Sequence, residues 1–119
     1  MMNVGKMGTM VFEPGYLKVE PGDKVKFLAT DPGHDTVSVH VPAGAEGWTG
    51  GINNEVTVTL DKEGVYIYKC NPHAVLAMVG VIQVGNATNL AEAQAAAKTL
   101  SATFATNKDR LDKYMAEVK

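Results

Sequence analysis

Seven short runs rich in Val, Thr, Ile, Tyr and Phe follow one another up to Gly85: TMVF, YLKV, KVKFLA, TVSVHV, VTVTL, VYIYK and VGVIQV. The turn signals EPG, EPGD, DPG, PAGAEG and DKEG separate them. β-Branched and aromatic residues suit a pleated, half-buried surface, while Gly, Pro and Asp interrupt it. Short strands at this spacing predict an all-β sandwich or barrel.

Beyond Gly85 the character changes. NLAEAQAAAKTL and NKDRLDKYMAEVK are rich in Ala, Leu, Glu and Lys. They predict two C-terminal α-helices, with cap candidates at Asn89, three residues before Glu92, and at Thr106, three before Asp109. In the second, Leu111, Tyr114, Met115 and Val118 form one apolar stripe, expected to pack on the sandwich and cover sheet surface. With 119 residues, 45% of them hydrophobic, and no repeat or long linker, a single domain is expected: residues 1–85 the β part, residues 86–119 a helical extension.

Eleven Lys and Arg against thirteen Asp and Glu leave a formal charge of -2, which offers neither a nucleic-acid footprint nor a polybasic patch for lipid. No apolar run approaches the roughly 20 residues that span a bilayer, so no membrane partner is expected. MMNVGKMG lacks the parts of a secretory signal, so an exported form is expected to have had its signal removed. The lone cysteine, Cys70, excludes an internal disulfide and any CxxC pair.

That cysteine stands in YKCNPHAVLAM, Tyr68 to Met78. Alternation along VYIYKC puts Tyr66, Tyr68 and Cys70 on one strand face, expected inward, and Val65, Ile67 and Lys69 on the other. Asn71 and Pro72 suit a turn that brings His73 back beside the thiol, and a four-residue loop returns Met78 to the same point. Thiolate, imidazole and thioether together suit copper; two His and one Cys in a trigonal set with a weak axial Met describe a blue-copper centre. The second histidine is His34 or His40, which strand parity cannot separate. Pro32 and Gly33 place His34 in a connection, where ligands gather, whereas His40 falls within a strand. Singly, a buried Cys is a small hydrophobe and a Met a gap-filler; together in one loop they outweigh those readings. Trp48 in GWTGG is expected to pack rather than bind.

Cys70-x-x-His73-x-x-x-x-Met78 with His34 upstream resembles the ligand pattern of the cupredoxins, and its loop length resembles that of plastocyanins and pseudoazurins. TMVFEPGYLKVEPGDKVKFLATDPGHD, VPAGAEG, YKCNPH and the two helices are most similar to pseudoazurins, over nearly the whole chain. The resemblance implies an eight-stranded Greek-key β-sandwich holding one type 1 copper ion through His34, Cys70, His73 and Met78. It also implies a periplasmic, monomeric shuttle of single electrons. Its redox partners would be copper-containing nitrite reductase, other respiratory reductases and cytochromes, docking near His73. Asp35 stands where pseudoazurins have Asn, replacing a group that donates and accepts with one that as a carboxylate only accepts. Ala74 replaces a frequent aromatic, and Pro32 and GWTGG replace lysine-bearing stretches, which thins the basic ring.

By those roles Cys70 shares the redox electron, His34 and His73 hold the plane, and Met78 helps to set the potential. Pro72 has no N–H to offer the sulfur. His73, among Pro72, Ala74, Val75 and Leu76, is the expected electron exit, with Lys6, Lys18, Lys62 or Lys69 steering approach. A cysteine hydrolase lacks an oxyanion hole, and a single sulfur with Met is a poor zinc set. A copper carrier without redox cycling is the alternative that shares these ligands.

Overall fold

A computed structural model describes residues 1–119. Each of the seven runs forms a strand: β2 (Gly8–Val11), β3 (Tyr16–Val19), β4 (Asp23–Phe27), β5 (Val37–His40), β6 (Val56–Leu60), β7 (Gly64–Lys69) and β8 (Val79–Val84). An eighth, β1 (Met2–Gly5), precedes them and pairs antiparallel with β2, placing Met2 opposite Val11 and Val4 opposite Thr9. MNVG carries little alternation of its own, and its extended form comes from this partner.

One sheet runs β3-β8-β7-β5, with β3 parallel to β8 and the other pairs antiparallel. The facing layer consists of the pairs β1-β2 and β4-β6. These two pairs are tied where the Met1 amine donates to Leu28 O and Asp31 N–H donates to Met1 O, both at 3.2 Å. The chain crosses between layers from β4 to β5, β5 to β6 and β6 to β7, the non-sequential order of a Greek-key sandwich.

Central strands in such a fold are covered on both faces, and β7 and β8 accordingly read as near-continuous apolar runs. Tyr66, Tyr68 and Cys70 point into the sandwich with Phe12, Phe27, Val58, Met78 and Ile82. Val65 and Ile67 lie on the other face with Val79 and Val81, beneath the helices. Tyr68 meets Phe12 and Phe27 edge-on, with ring centroids 4.7 and 5.0 Å away. Each such pair adds about 0.5–1.5 kcal/mol to the stabilisation from burial. Gly80 lets β8 pass under the Tyr68 ring, since a Cβ there would lie 2.3 Å from its Cζ.

Two helices close the chain, α1 (Leu90–Ser101) and α2 (Arg110–Met115). Ala93, Ala97 and Leu100 give α1 the buried stripe that seats it on β7, while Leu111 and Tyr114 seat α2 against β8. Asn89 stands at the N-cap of α1 as expected but makes no side-chain capping bond, whereas the N-cap of α2 is Asp109 rather than Thr106. Asn89 precedes α1, but its side chain is drawn to the sheet: Oδ1 accepts from Val65 N–H at 2.6 Å and Nδ2 donates to Val65 O at 3.1 Å. Thr106 caps nothing, because Asn107 turns left-handed at φ 50° and α2 starts only after Asp109. At the end of the chain, buried Gln83 bonds both the N–H and the carbonyl of Lys119.

Candidate metal centre

The strand-end loops at one pole of the sandwich bring three donors together. His34 comes from the β4–β5 connection, Cys70 follows β7, and His73 lies in a 3-10 segment, Asn71–Leu76, that opens on Pro72. His34 Nδ1 is 3.1 Å from His73 Nδ1 and 3.8 Å from Cys70 Sγ, and Cys70 Sγ is 3.5 Å from His73 Nδ1. Two nitrogens and a sulfur at the corners of so small a triangle have the form of the trigonal donor set that copper takes. Met78, fully buried, shares the core cluster with Cys70. Its main chain closes the loop: Cys70 N–H donates to Met78 O at 2.9 Å and Met78 N–H to His73 O at 3.3 Å. Cys70 and Met78 thus share one core, and the chemistry of His34, Cys70, His73 and Met78 fits copper in both oxidation states.

Residues far away in sequence orient these donors. His34 Nε2 lies 2.7 Å from Asn3 Oδ1, and an amide oxygen accepts only, so Nε2 carries the proton and Nδ1 is left bare toward the cysteine. Asn53 brackets the same histidine, its N–H donating to His34 O at 2.9 Å and its Oδ1 accepting from Gly33 N–H at 2.6 Å. Gly33 turns at φ 93°, which a side chain would oppose. Asp35 joins the two ligand loops through its Oδ1, which accepts from Asn71 N–H at 2.7 Å. Asp35 thus provides a tie between the ligand loops, as acceptor.

Burial pushes the Cys70 thiol up; the N–H groups of Asp35 and His73 pull it back in part, and the Asp35 carboxylate pushes it further up. Burial pushes His34 down, aided by the neighbouring His73 and the N-terminal amine. Without metal the pocket therefore favours a protonated sulfur and a neutral imidazole. Binding has to displace the thiol proton, whereas His34 is already in its ligating form.

His40 lies elsewhere, with Nε2 3.2 Å from Asn89 Nδ2 where α1 begins. Trp48 packs as expected: its ring lies 5.8 Å from Phe27 and 6.3 Å from Tyr66, and Nε1 donates to Thr36 Oγ1 at 3.0 Å. Lys69 adjoins Cys70, while Lys62 precedes the opposite end of β7 and Lys18 pairs with Gln83 toward the far end of β8. Asn3 and Asn53 are the site residues that sequence reading missed. Nothing local marks them, since they act across 31 and 20 residues.

The sequence profile of copper binding proteins, plastocyanin/azurin family, matches residues 1–85. The chain belongs to this family. It is 37% identical to pseudoazurin of Paracoccus pantotrophus over 99% of its length and 80% of that protein. It is 40% identical to pseudoazurin of Methylorubrum extorquens over 100% and 79%. The crystal structure of native pseudoazurin from Hyphomicrobium denitrificans superposes with a TM-score of 0.83 at 39% identity, covering 100% of this chain and 94% of that one. The fold is that of a cupredoxin, the cofactor is copper, and the protein is a type 1 copper electron-transfer protein. Similarity to the pseudoazurins runs through the helices, beyond the residues shared with the wider family.

Proposed function

We propose that His34, Cys70, His73 and Met78 hold one copper ion, and that this single-domain, monomeric protein carries electrons in the periplasm to respiratory reductases, copper-containing nitrite reductase among them. The triangle of His34 Nδ1, Cys70 Sγ and His73 Nδ1, with edges of 3.1, 3.5 and 3.8 Å, carries this reading. Bound copper supplies one electron at a time by passing between Cu(II) and Cu(I). The chain's own residues supply the setting. Asn3, Asn53 and the Asp35–Asn71 tie hold the donors in place, so the site has little to rearrange as the charge changes. Burial of His34, Cys70 and Met78 keeps water out.

His73 is the ligand least covered, half-buried on a rim with exposed Pro72 and Val75. A small apolar rim suits the brief docking of redox partners. Of the four lysines weighed for steering, Lys69 is the one adjoining the ligand loop. No helix is long and apolar enough to cross a membrane. The carrier role is tested by repeated reduction with ascorbate and reoxidation with ferricyanide in the presence of a copper(I) chelator. A carrier of electrons keeps its blue band through the cycles; steady loss of copper to the chelator means a carrier of metal.

A further inference from the structure

Arg110, the first residue of α2, is 3% exposed, yet its guanidinium meets no carboxylate. The ion pairs of the molecule are Lys26–Glu55 and Lys113–Asp109. A buried cation needs compensation, and here backbone carbonyls provide it. Nη1 donates to Ala77 O at 3.1 Å and to Met10 O at 2.9 Å, and Nη2 donates to Met7 O at 3.1 Å.

The choice of carbonyls is informative. Met10 and Ala77 are both non-glycine residues in the left-handed region, at φ 54° and 62°. L-residues avoid that region because Cβ crowds the backbone, so each needs its surroundings to hold it there. Arg110 Nη1 grips the carbonyl of both. Ala77 ends the 3-10 segment after His73, donates its own N–H to Ala74 O at 2.9 Å, and immediately precedes Met78. The left-handed turn at Ala77 fixes the direction in which the chain enters Met78.

We propose that Arg110 is a positioning residue for Met78 and, through its unpaired buried charge, a determinant of the reduction potential. The proposal rests on the copper ligands proposed above. By gripping Ala77 O the guanidinium keeps the turn closed and so holds the Met78 side chain at its distance from the centre. Its positive charge, little screened in the interior, opposes the more highly charged Cu(II) state and favours Cu(I). The helical extension then does more than cover the sheet, because it reaches the ligand loop from residues outside the part matched by the wider family.

Three variants test this: Arg110→Gln, which keeps donors and loses charge; Arg110→Lys, which keeps charge and loses the fork; and Leu111→Val, which loosens α2 and leaves Arg110 in place. The readouts are the reduction potential, the visible and electron paramagnetic resonance spectra of the copper protein, and amide exchange at Ala77 and Met78 in the copper-free protein. Arg110→Gln is expected to shift the Cu(I):Cu(II) ratio at a fixed potential toward Cu(II) by about tenfold, equivalent to about 59 mV for one electron. Arg110→Lys should recover much of that shift but keep altered spectra and faster exchange at both amides. Leu111→Val should lower stability and change neither potential nor spectra. Wild-type potential and spectra in both Arg110 variants overturn the proposal, as does a Leu111→Val protein that shifts them equally. Should Arg110→Gln fail to fold, Arg110→Lys decides through spectra and exchange. Failure of the copper assignment itself shows separately, as a wild-type protein with no blue band.

Discussion

Asp35 Oδ1 accepts a hydrogen bond from Asn71 N–H at 2.7 Å, and this contact helps to tie the loop bearing His34 to the loop bearing Cys70 and His73. Asp35 is 6% exposed, whereas Asn71 is exposed, so water can partly replace the lost acceptor. Asp35→Ala should remove that acceptor and cost about 0.5–1.5 kcal/mol of stability in the copper-free protein. Asp35→Asn keeps an accepting oxygen and should cost less, but it removes a negative charge beside the sulfur and should raise the reduction potential. Chemical denaturation and a spectroelectrochemical titration separate the two effects.

Asn3 leaves His34 one free nitrogen and points it at the centre. Asn3→Val removes the acceptor for Nε2–H and should weaken copper(II) binding about 10- to 100-fold, the usual effect of losing a partner that orients a ligand. Asn3→Asp retains an accepting oxygen and should restore most of the loss. Competition titrations against a chelator of known affinity measure both.

Gly80 gives Tyr68 the space in which to meet Phe12 and Phe27. A methyl group there meets the ring at 2.3 Å, so Gly80→Ala should force a shift of the ring or of β8 and cost about 1–3 kcal/mol. Chemical denaturation of the copper-free protein reports the loss, and near-ultraviolet circular dichroism reports the displaced ring.

Tyr114 Oη is buried with no hydrogen-bond partner. Burial raises its pKa, Arg110 pulls it back, and Glu117 and Glu13 raise it further. A folded-state pKa above the unfolded value of about 10 means that its contribution is fully present below pH 10. That contribution is lost as pH rises, when the unfolded chain ionises first. Tyr114→Phe should therefore be at least as stable at neutral pH and lose less stability above pH 10, as followed by denaturation from neutral to alkaline pH.

Strands β2 to β8 could be read from their β-branched and aromatic runs, because burial on the sheet faces selects those residues directly. β1 could not, since MNVG is extended by pairing with β2 rather than by its composition. The ligand loop was legible because Cys70, His73 and Met78 lie within nine consecutive residues of the chain. Its supports were not: Asn3 reaches His34 across 31 residues and Arg110 reaches Met7 across 103, and no local pattern encodes such meetings. The missing side-chain bond of the Asn89 cap and the late start of α2 have the same origin, since Val65 of the sheet takes the Asn89 side chain and a left-handed Asn107 delays α2.

The central claim is that one copper ion sits among His34, Cys70, His73 and Met78. Visible absorption and electron paramagnetic resonance of the purified protein after addition of copper(II), beside a Cys70→Ser variant, test it most directly. The account predicts an intense blue thiolate-to-copper band that ascorbate bleaches and the variant lacks. A colourless wild-type protein, or a band that survives in Cys70→Ser, contradicts it.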